Sequence, residues 1–458
     1  MRLEKDSLGE REVPEEAYYG IHSLRSMENF DVAGERVPLD IVYGIVRLKW
    51  ACALANQRLG LLPEEKTTAI VSACQRVLEG AFDDQFVVDV FQAGSGTSSN
   101  MNVNEVLGNV ACTELGGKPG DRSLIHPNDD VNKGQSTNNV FPSGIKVAAV
   151  SLSSGLVAAA ERLIGQLREK SKEFADVIKS GRTHLQDAVP VTLGQEFAAY
   201  ARALEKDVAR VRAARERVLE LGIGGNAVGT GINTKPEYRA TIVEELNGLT
   251  GETFCVADDG LEITQFLTDL GDLSSTLKLM ALDLLKIGND LRLLASGPNT
   301  GLREVILPSV EPGSSIMPGK INPSICEAAN MACIQVVGND AAVSMACGAG
   351  QLELNTHMPL IGTNLVRSLH ILTRCCAMLG DQCIVGIVAD VEECASNFDR
   401  SAGLATVLNP QLGYDQVALL VKESLKTRKT LKELVLEKDI MSAEDLDVLL
   451  KKSTGPTL

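Results

Sequence analysis

The chain has 458 residues, 44% of them hydrophobic but only 4% aromatic, so any core must be built from aliphatic side chains. Its formal net charge of −16 argues against a nucleic-acid partner, because phosphates demand a basic surface. The same acidity means that an anionic ligand would need cationic and N–H groups gathered at one place.

Strand signals are few and fall near the start, around Arg11–Tyr19, and again around Thr230. The first polar cluster is Gly94-Ser-Gly-Thr-Ser-Ser-Asn-Met-Asn-Val-Asn-Glu105. A hydroxyl- and glycine-rich stretch ahead of a helix either caps that helix or binds an anion through its OH and free N–H groups. Thr97 and Ser98 are the candidates there. The second cluster, His126–Asn139, offers Ser136, Thr137 and Asn138 as neutral donors ahead of a long helix. Proline-free gaps from Pro142 to Pro190, Pro190 to Pro236, Pro236 to Pro298, Pro323 to Pro359 and Pro359 to Pro410 leave room for extended helices. Residues 144–176 and 192–221 show the apolar periodicity of such helices. Between them, Gly181-Arg-Thr-His-Leu-Gln-Asp187 interrupts the pattern and sets His184 beside Thr183.

The clearest seam runs Ile263, Phe266, Leu270, Leu273, Leu277, Met280, Leu284, Ile287, Leu291, Leu294. Its steps alternate three and four, the spacing of helices packed side by side. At 1.5 Å per residue it extends about 47 Å and needs equally long neighbours. The segment Gly313-Ser-Ser-Ile-Met-Pro-Gly-Lys-Ile-Asn-Pro323 packs two hydroxyls, a lysine and an amide between prolines. It can present Ser314, Ser315, Lys320, Asn322 and main-chain N–H groups to one small anion. Short amphipathic pieces follow at Gln416–Ser424 and Leu431–Leu436, and Ser442-Ala-Glu-Asp reads as a helix start.

The predicted fold is mainly α: an N-terminal mixed region (1–138), a central bundle of long helices (139–393) and a small helical C-terminal part (394–458). Eleven cysteines with no CxxC pair and no zinc-type spacing read as free thiols in a reducing cytosol. No nucleotide loop, haem motif or metal cluster is visible, so no cofactor and no metal are expected. The start Met1-Arg-Leu-Glu-Lys-Asp has no apolar signal region, and no run of about 18 apolar residues follows; a cytoplasmic protein with no membrane partner is expected.

Thr97-Ser-Ser-Asn-Met-Asn with Gln135-Ser-Thr-Asn, Gly181–Asp187 and the loop 313–323 resemble, in order, the three characteristic segments of the fumarase/aspartase superfamily. The likeness covers essentially the whole chain. It implies a three-domain fold in a homotetramer with a twenty-helix core, whose active sites draw residues from three subunits. It also implies elimination from a succinyl-type dicarboxylate, usually to fumarate. By resemblance Ser314 is the base. Thr97, Ser136, Thr137 and Ser315 stabilise the enediolate-like carboxylate, and Lys320, Asn322 and Thr183 hold the other. Asn138 and His184, with Thr97 nearby, would recognise the leaving ammonium.

Within the superfamily, Tyr18-Tyr-Gly20, Ser136-Thr-Asn138, Ala257–Thr264 and Leu431–Lys438 resemble the aspartase branch. His126-Pro-Asn-Asp129, Gly319-Lys320 and Cys326-Glu327 resemble class II fumarases, so hydration of fumarate is the alternative. A catalytically silent scaffold of the crystallin kind is a third. Two residues depart from the family pattern: Asn139 stands where an aspartate is usual, and Asn299 where an arginine is.

Overall fold

The computed structural model describes residues 1–455, and the predominance of helix matches the expectation. The chain opens with β1 (Arg2–Asp6) and β2 (Gly9–Val13), an antiparallel hairpin. Helices α1 (Ile21–Asn29), α2 (Leu39–Arg58), α3 (Glu64–Leu78) and α4 (Thr97–Glu114) follow. Then come α5 (Thr137–Glu173), the hairpin β3 (Ile178–Thr183) and β4 (Gln186–Thr192), α6 (Leu193–Val218), and β5 (Glu220–Leu221). Next are α7 (Tyr238–Thr250), β6 (Cys255–Val256), α8 (Gly260–Gln265) and α9 (Thr268–Leu294). After β7 (Val305–Ile306) run α10 (Ser324–Cys347), α11 (Met358–Gln382) and β8 (Val388–Ala389). The end is α12 (Val391–Arg400), α13 (Gly403–Leu412), α14 (Tyr414–Thr427), α15 (Leu431–Glu437) and α16 (Ala443–Ser453).

The chain divides into two compact units, Met1–Leu156 with Arg210–Lys278 and Gln335–Ile371, and Val157–Ala209 with Leu279–Ile334 and Leu372–Leu458. The five long helices α5, α6, α9, α10 and α11 share their residues between both. In the first unit the aliphatic core includes Ile41, Ile45, Leu48, Ile70, Val103 and Leu107, all fully buried. Glu105, buried on α4, fastens the start of α1 to it: its carboxylate accepts from the backbone N–H groups of Gly20, His22 and Ser23 and from the Ser23 hydroxyl. In the second unit α12–α16 enclose their own apolar cluster, including Phe398, Leu408, Leu434, Leu446 and Leu450. Ser442 caps α16, accepting from Asp445 N–H at 3.1 Å, as its sequence foretold.

Along α9 the expected seam is buried at Leu270, Leu273, Leu277, Met280, Leu284, Ile287, Leu291 and Leu294. Burying each such side chain contributes about 1.5–3 kcal/mol, which adds to the helix-forming preference of its many leucines. Phe266 is the exception. Its backbone is extended, the helix breaks there into α8 and α9, and the ring is 55% exposed.

Two other expectations change. Thr230 lies in turns and bends, because Gly224, Gly229 and Gly231 all take positive φ and bend the chain away from an extended path. The interruption at 181–187 is a strand hairpin, not a loop between helices. Its β-branched residues (Ile178, Thr183, Val189, Val191, Thr192) favour strand, and Gly181 allows the close approach of Val189 O, which an added Cβ would meet at 2.7 Å. Among the described residues α5 alone is long and apolar enough to cross a membrane, and half of its apolar window is buried within the chain, as in a core helix. All eleven cysteines are free thiols.

Candidate functional site

In the first unit the helix starts of α4 and α5 form one polar cluster. Gly96, in the left-handed region at φ 83°, begins α4, and a Cβ there would lie 2.3 Å from the Phe141 ring. Thr97 opens the helix, its hydroxyl 3.4 Å from both Ser95 Oγ and Gly94 O. Ser98 is buried, and its Oγ has no hydrogen-bond partner among the described residues. At α5, Ser136 Oγ accepts from Asn138 N–H at 3.3 Å, a bond of the helix-capping kind. Asn138 donates to Ala227 O at 2.8 Å. Thr137 Oγ1 accepts from Asn100 Nδ2 at 2.9 Å, a bond that brings the two clusters, distant in sequence, together.

Behind this contact lies a residue that pattern reading passed over. Lys49 of α2 is fully buried and donates to Asn132 Oδ1 at 2.7 Å and Gln135 Oε1 at 2.9 Å. Asn100 Nδ2 also donates to Asn132 Oδ1, at 3.3 Å. Burial lowers the Lys49 ammonium to a pKa of about 7, because a charge removed from water is costly. Its signal was present in the sequence: Lys49 sits four residues after Ile45 and three before Cys52, on the apolar face of a helix.

In the second unit, Thr183 and His184 sit at the β3–β4 turn. His184 and Leu185 both take positive φ, 55° and 59°, which non-glycine residues adopt at a cost of about 1–2 kcal/mol each. Arg182 holds the hairpin by a two-pronged bond to Glu304, at 2.7 and 3.0 Å, and Lys179 reaches the same carboxylate at 3.0 Å. Glu304 is fully buried and directly precedes β7, the strand that leads toward the loop 313–323.

That loop is closed at its neck: Gly313 N–H donates to Lys320 O at 2.8 Å, and Asn322 Nδ2 donates to Gly313 O at 2.8 Å. Within it, Ser314 Oγ accepts from the backbone N–H groups of Ile316 at 3.2 Å and Met317 at 3.1 Å. Ser315 and Lys320 are exposed. Lys320 and Asn322 line an open cavity of 590 Å³ with Asn299 and Arg303, and Lys320 lines a second of 400 Å³ with Ser314. Among the described residues no hydrogen bond joins the loop to Thr183 or His184.

The two departures are placed differently. Asn139 is buried and donates to Thr264 Oγ1 at 3.2 Å, while Asn299 borders the larger cavity. His126 spends its ring on its own helix start: Nδ1 accepts from Asn128 and Asp129 N–H groups at 3.2 and 3.1 Å. No group of three or more His, Cys, Asp or Glu residues is arranged to hold a metal ion among the described residues.

The pattern of the family described as Lyase matches residues 9–338, and that of the fumarase C C-terminus matches residues 404–454. The chain is 44% identical over 453 residues to an aspartate ammonia-lyase of Helicobacter pylori, covering 98% of this chain and 97% of the relative. Against that of Pseudomonas aeruginosa it is 45% identical, covering 99% and 96%. Among solved structures, a "fumarate lyase:delta crystallin" from Brucella melitensis bound to cobalt superposes with a TM-score of 0.95 at 44% identity, covering 99% of this chain and 100% of that one. A class II fumarase from Schistosoma mansoni gives 0.93 at 38% identity, covering 98% of each chain. Motifs, helical architecture and full-length likeness agree, and the chain belongs to the fumarase/aspartase superfamily of lyases.

Proposed function

We propose that this chain is an aspartate ammonia-lyase, converting L-aspartate reversibly to fumarate and ammonia. The observation that carries the reading is its full-length identity of 44% to a relative of that name. Ser314 takes a proton from Cβ of the substrate. The electron pair moves into the adjacent carboxylate, then forms the new C=C bond as the C–N pair leaves with ammonia. A free serine is too weak an acid to serve as an alkoxide. The N–H groups of Ile316 and Met317 on Ser314 Oγ support that role, because donors already aimed at the oxygen stabilise its negative charge. Lys320, which lines a cavity with Ser314, adds positive charge.

Thr97, Ser98, Ser136, Thr137 and Ser315 receive the carboxylate on which charge accumulates, while Lys320, Asn322 and Thr183 hold the other. Asn138 and His184 surround the ammonium, which leaves with its own protons and needs no acid. Hydroxide would need one, which separates this chemistry from hydration. The small dicarboxylate site is completed in a cytoplasmic homotetramer, where loops of neighbouring subunits meet. Apolar side chains left exposed on α9 (Leu279, Leu282, Leu293) and α10 (Met331, Ile334, Met345) support such an assembly.

Hydration of fumarate is the second reading, favoured by the superposition on the Schistosoma mansoni fumarase. Following fumarate absorbance from L-aspartate and from L-malate decides. Fumarate from malate alone would reject the aspartase reading, and turnover of neither would favour a silent scaffold. Ser314→Ala should lower kcat by a factor of about 100 or more with KM little changed, since the serine acts in the transition state.

A further inference from the structure

Lys49 is the one lysine in α2, it is completely enclosed, and no carboxylate bonds to it among the described residues. Buried ammonium groups normally carry a counter-charge, and one without it is kept for a reason. The hydrogen bonds around it have a fixed direction. The charged Lys49 has only protons to give, and Asn132 Oδ1 and Gln135 Oε1 both face it as acceptors. Asn132 then turns its Nδ2 to Gln135 O at 3.2 Å. Asn100 Nδ2 gives its protons to Asn132 Oδ1 and Thr137 Oγ1. Thr137 Oγ1, already accepting, is left with its O–H proton to donate outward. The chain of bonds therefore sets the polarity of a hydroxyl at the start of α5.

We propose that Lys49 is a positioning residue for the dicarboxylate: through Asn132, Gln135 and Asn100 it fixes Thr137 as a donor, and its charge serves as the buried counter-ion to the bound anion. This rests on the aspartase reading only for the identity of the substrate. Lys49 does not touch the substrate, since it has no exposed surface.

The consequence is a coupling between binding and protonation. Burial holds the free-state ammonium at about 7, whereas an anion arriving nearby favours its charged form. A dianion that binds above pH 7 must therefore draw a proton onto Lys49. The other groups facing it stay out of this window. Cys52 on α2 is pushed up to about 12, Cys74 on α3 is pushed higher still, and Tyr238 on α7 lies well above its ordinary value, all through burial. From the segment before α5, Asp130 is paired to Lys66 at 2.7 Å.

The test uses succinate, an unreactive four-carbon dicarboxylate, with the full-length wild-type protein and Lys49→Met. Calorimetry at pH 8 in two buffers of different ionisation enthalpy reads the protons taken up on binding. Affinity is followed from pH 7 to 9. Wild-type protein should take up at least half a proton, and its affinity should fall toward the one-proton limit of about tenfold per pH unit. Lys49→Met should take up none, with flat, weaker affinity. Absent uptake or a pH-independent affinity in the wild type overturns the proposal, as does equal uptake in a folded Lys49→Met. The wild-type measurements decide even if the variant fails to fold. Proton-coupled succinate binding without aspartate turnover would instead sink the activity reading and leave the role of Lys49 standing.

Discussion

Single residues here are held by how fully their polar atoms are satisfied. Glu105 accepts four bonds from the start of α1. Glu105→Ala would leave three N–H groups and a hydroxyl buried without partners. It should destabilise the first unit by about 3 kcal/mol or more, read as a lower midpoint in urea. Lys49 gives stability a pH dependence of definite sign. Its folded-state value is about 7 against an ordinary 10.5, so between those limits the unfolded chain binds a proton that the folded chain has released. Stability from this group therefore rises with pH across that window. Lys49→Met should lack the rise when Tm is measured from pH 7 to 10. Lys49 was hard to recognise in sequence because lysine usually marks a solvated face, and only its position among Ile45, Leu48 and Cys52 contradicts that. Thr137 was visible as a donor, but its partner Asn100 lies far off in the chain, and the bond between them depends on the packing of α4 against the start of α5.

Elements divide into those written in a period and those written in turns. The spacing of Leu270 to Leu294 announced α9, because burial along one stripe is what stabilises a long helix. Leu284→Ala, removing a fully buried member of that stripe, should cost about 2–5 kcal/mol, measured by denaturant unfolding. The break at Phe266 was not legible, since the apolar spacing continues through it while the backbone does not. The β3–β4 hairpin escaped for a different reason. Its two-residue turn uses His184 and Leu185 where Asn-Gly would have signalled it, and the left-handed backbone is imposed by surrounding structure. Arg182 and Glu304 supply part of that constraint. Arg182→Ala leaves a buried carboxylate with Lys179 as its remaining strong cation, and should cost about 3–5 kcal/mol while lowering kcat.

At the scale of the molecule, the two groups of candidate residues belong to different units: Thr97 and Ser136–Asn138 to one, Thr183, His184 and the loop 313–323 to the other. The sequence motifs marked both groups as candidates, whereas the proposed completion of a site by neighbouring subunits is a matter of assembly that spacing along one chain does not encode. If subunits complete each other's sites, Ser314→Ala and Thr137→Val proteins, each inactive alone, should regain up to about a quarter of wild-type activity after co-refolding. Recovery absent in verified mixed oligomers would place each site within one chain. The chain's single tryptophan, Trp50, stands beside Lys49 on α2. Indole emission or its quenching therefore comes from one locus, free of overlap from other indoles. The protein carries an intrinsic optical probe next to its buried ammonium, by which dicarboxylate binding and the melting of that helix can be watched without a label.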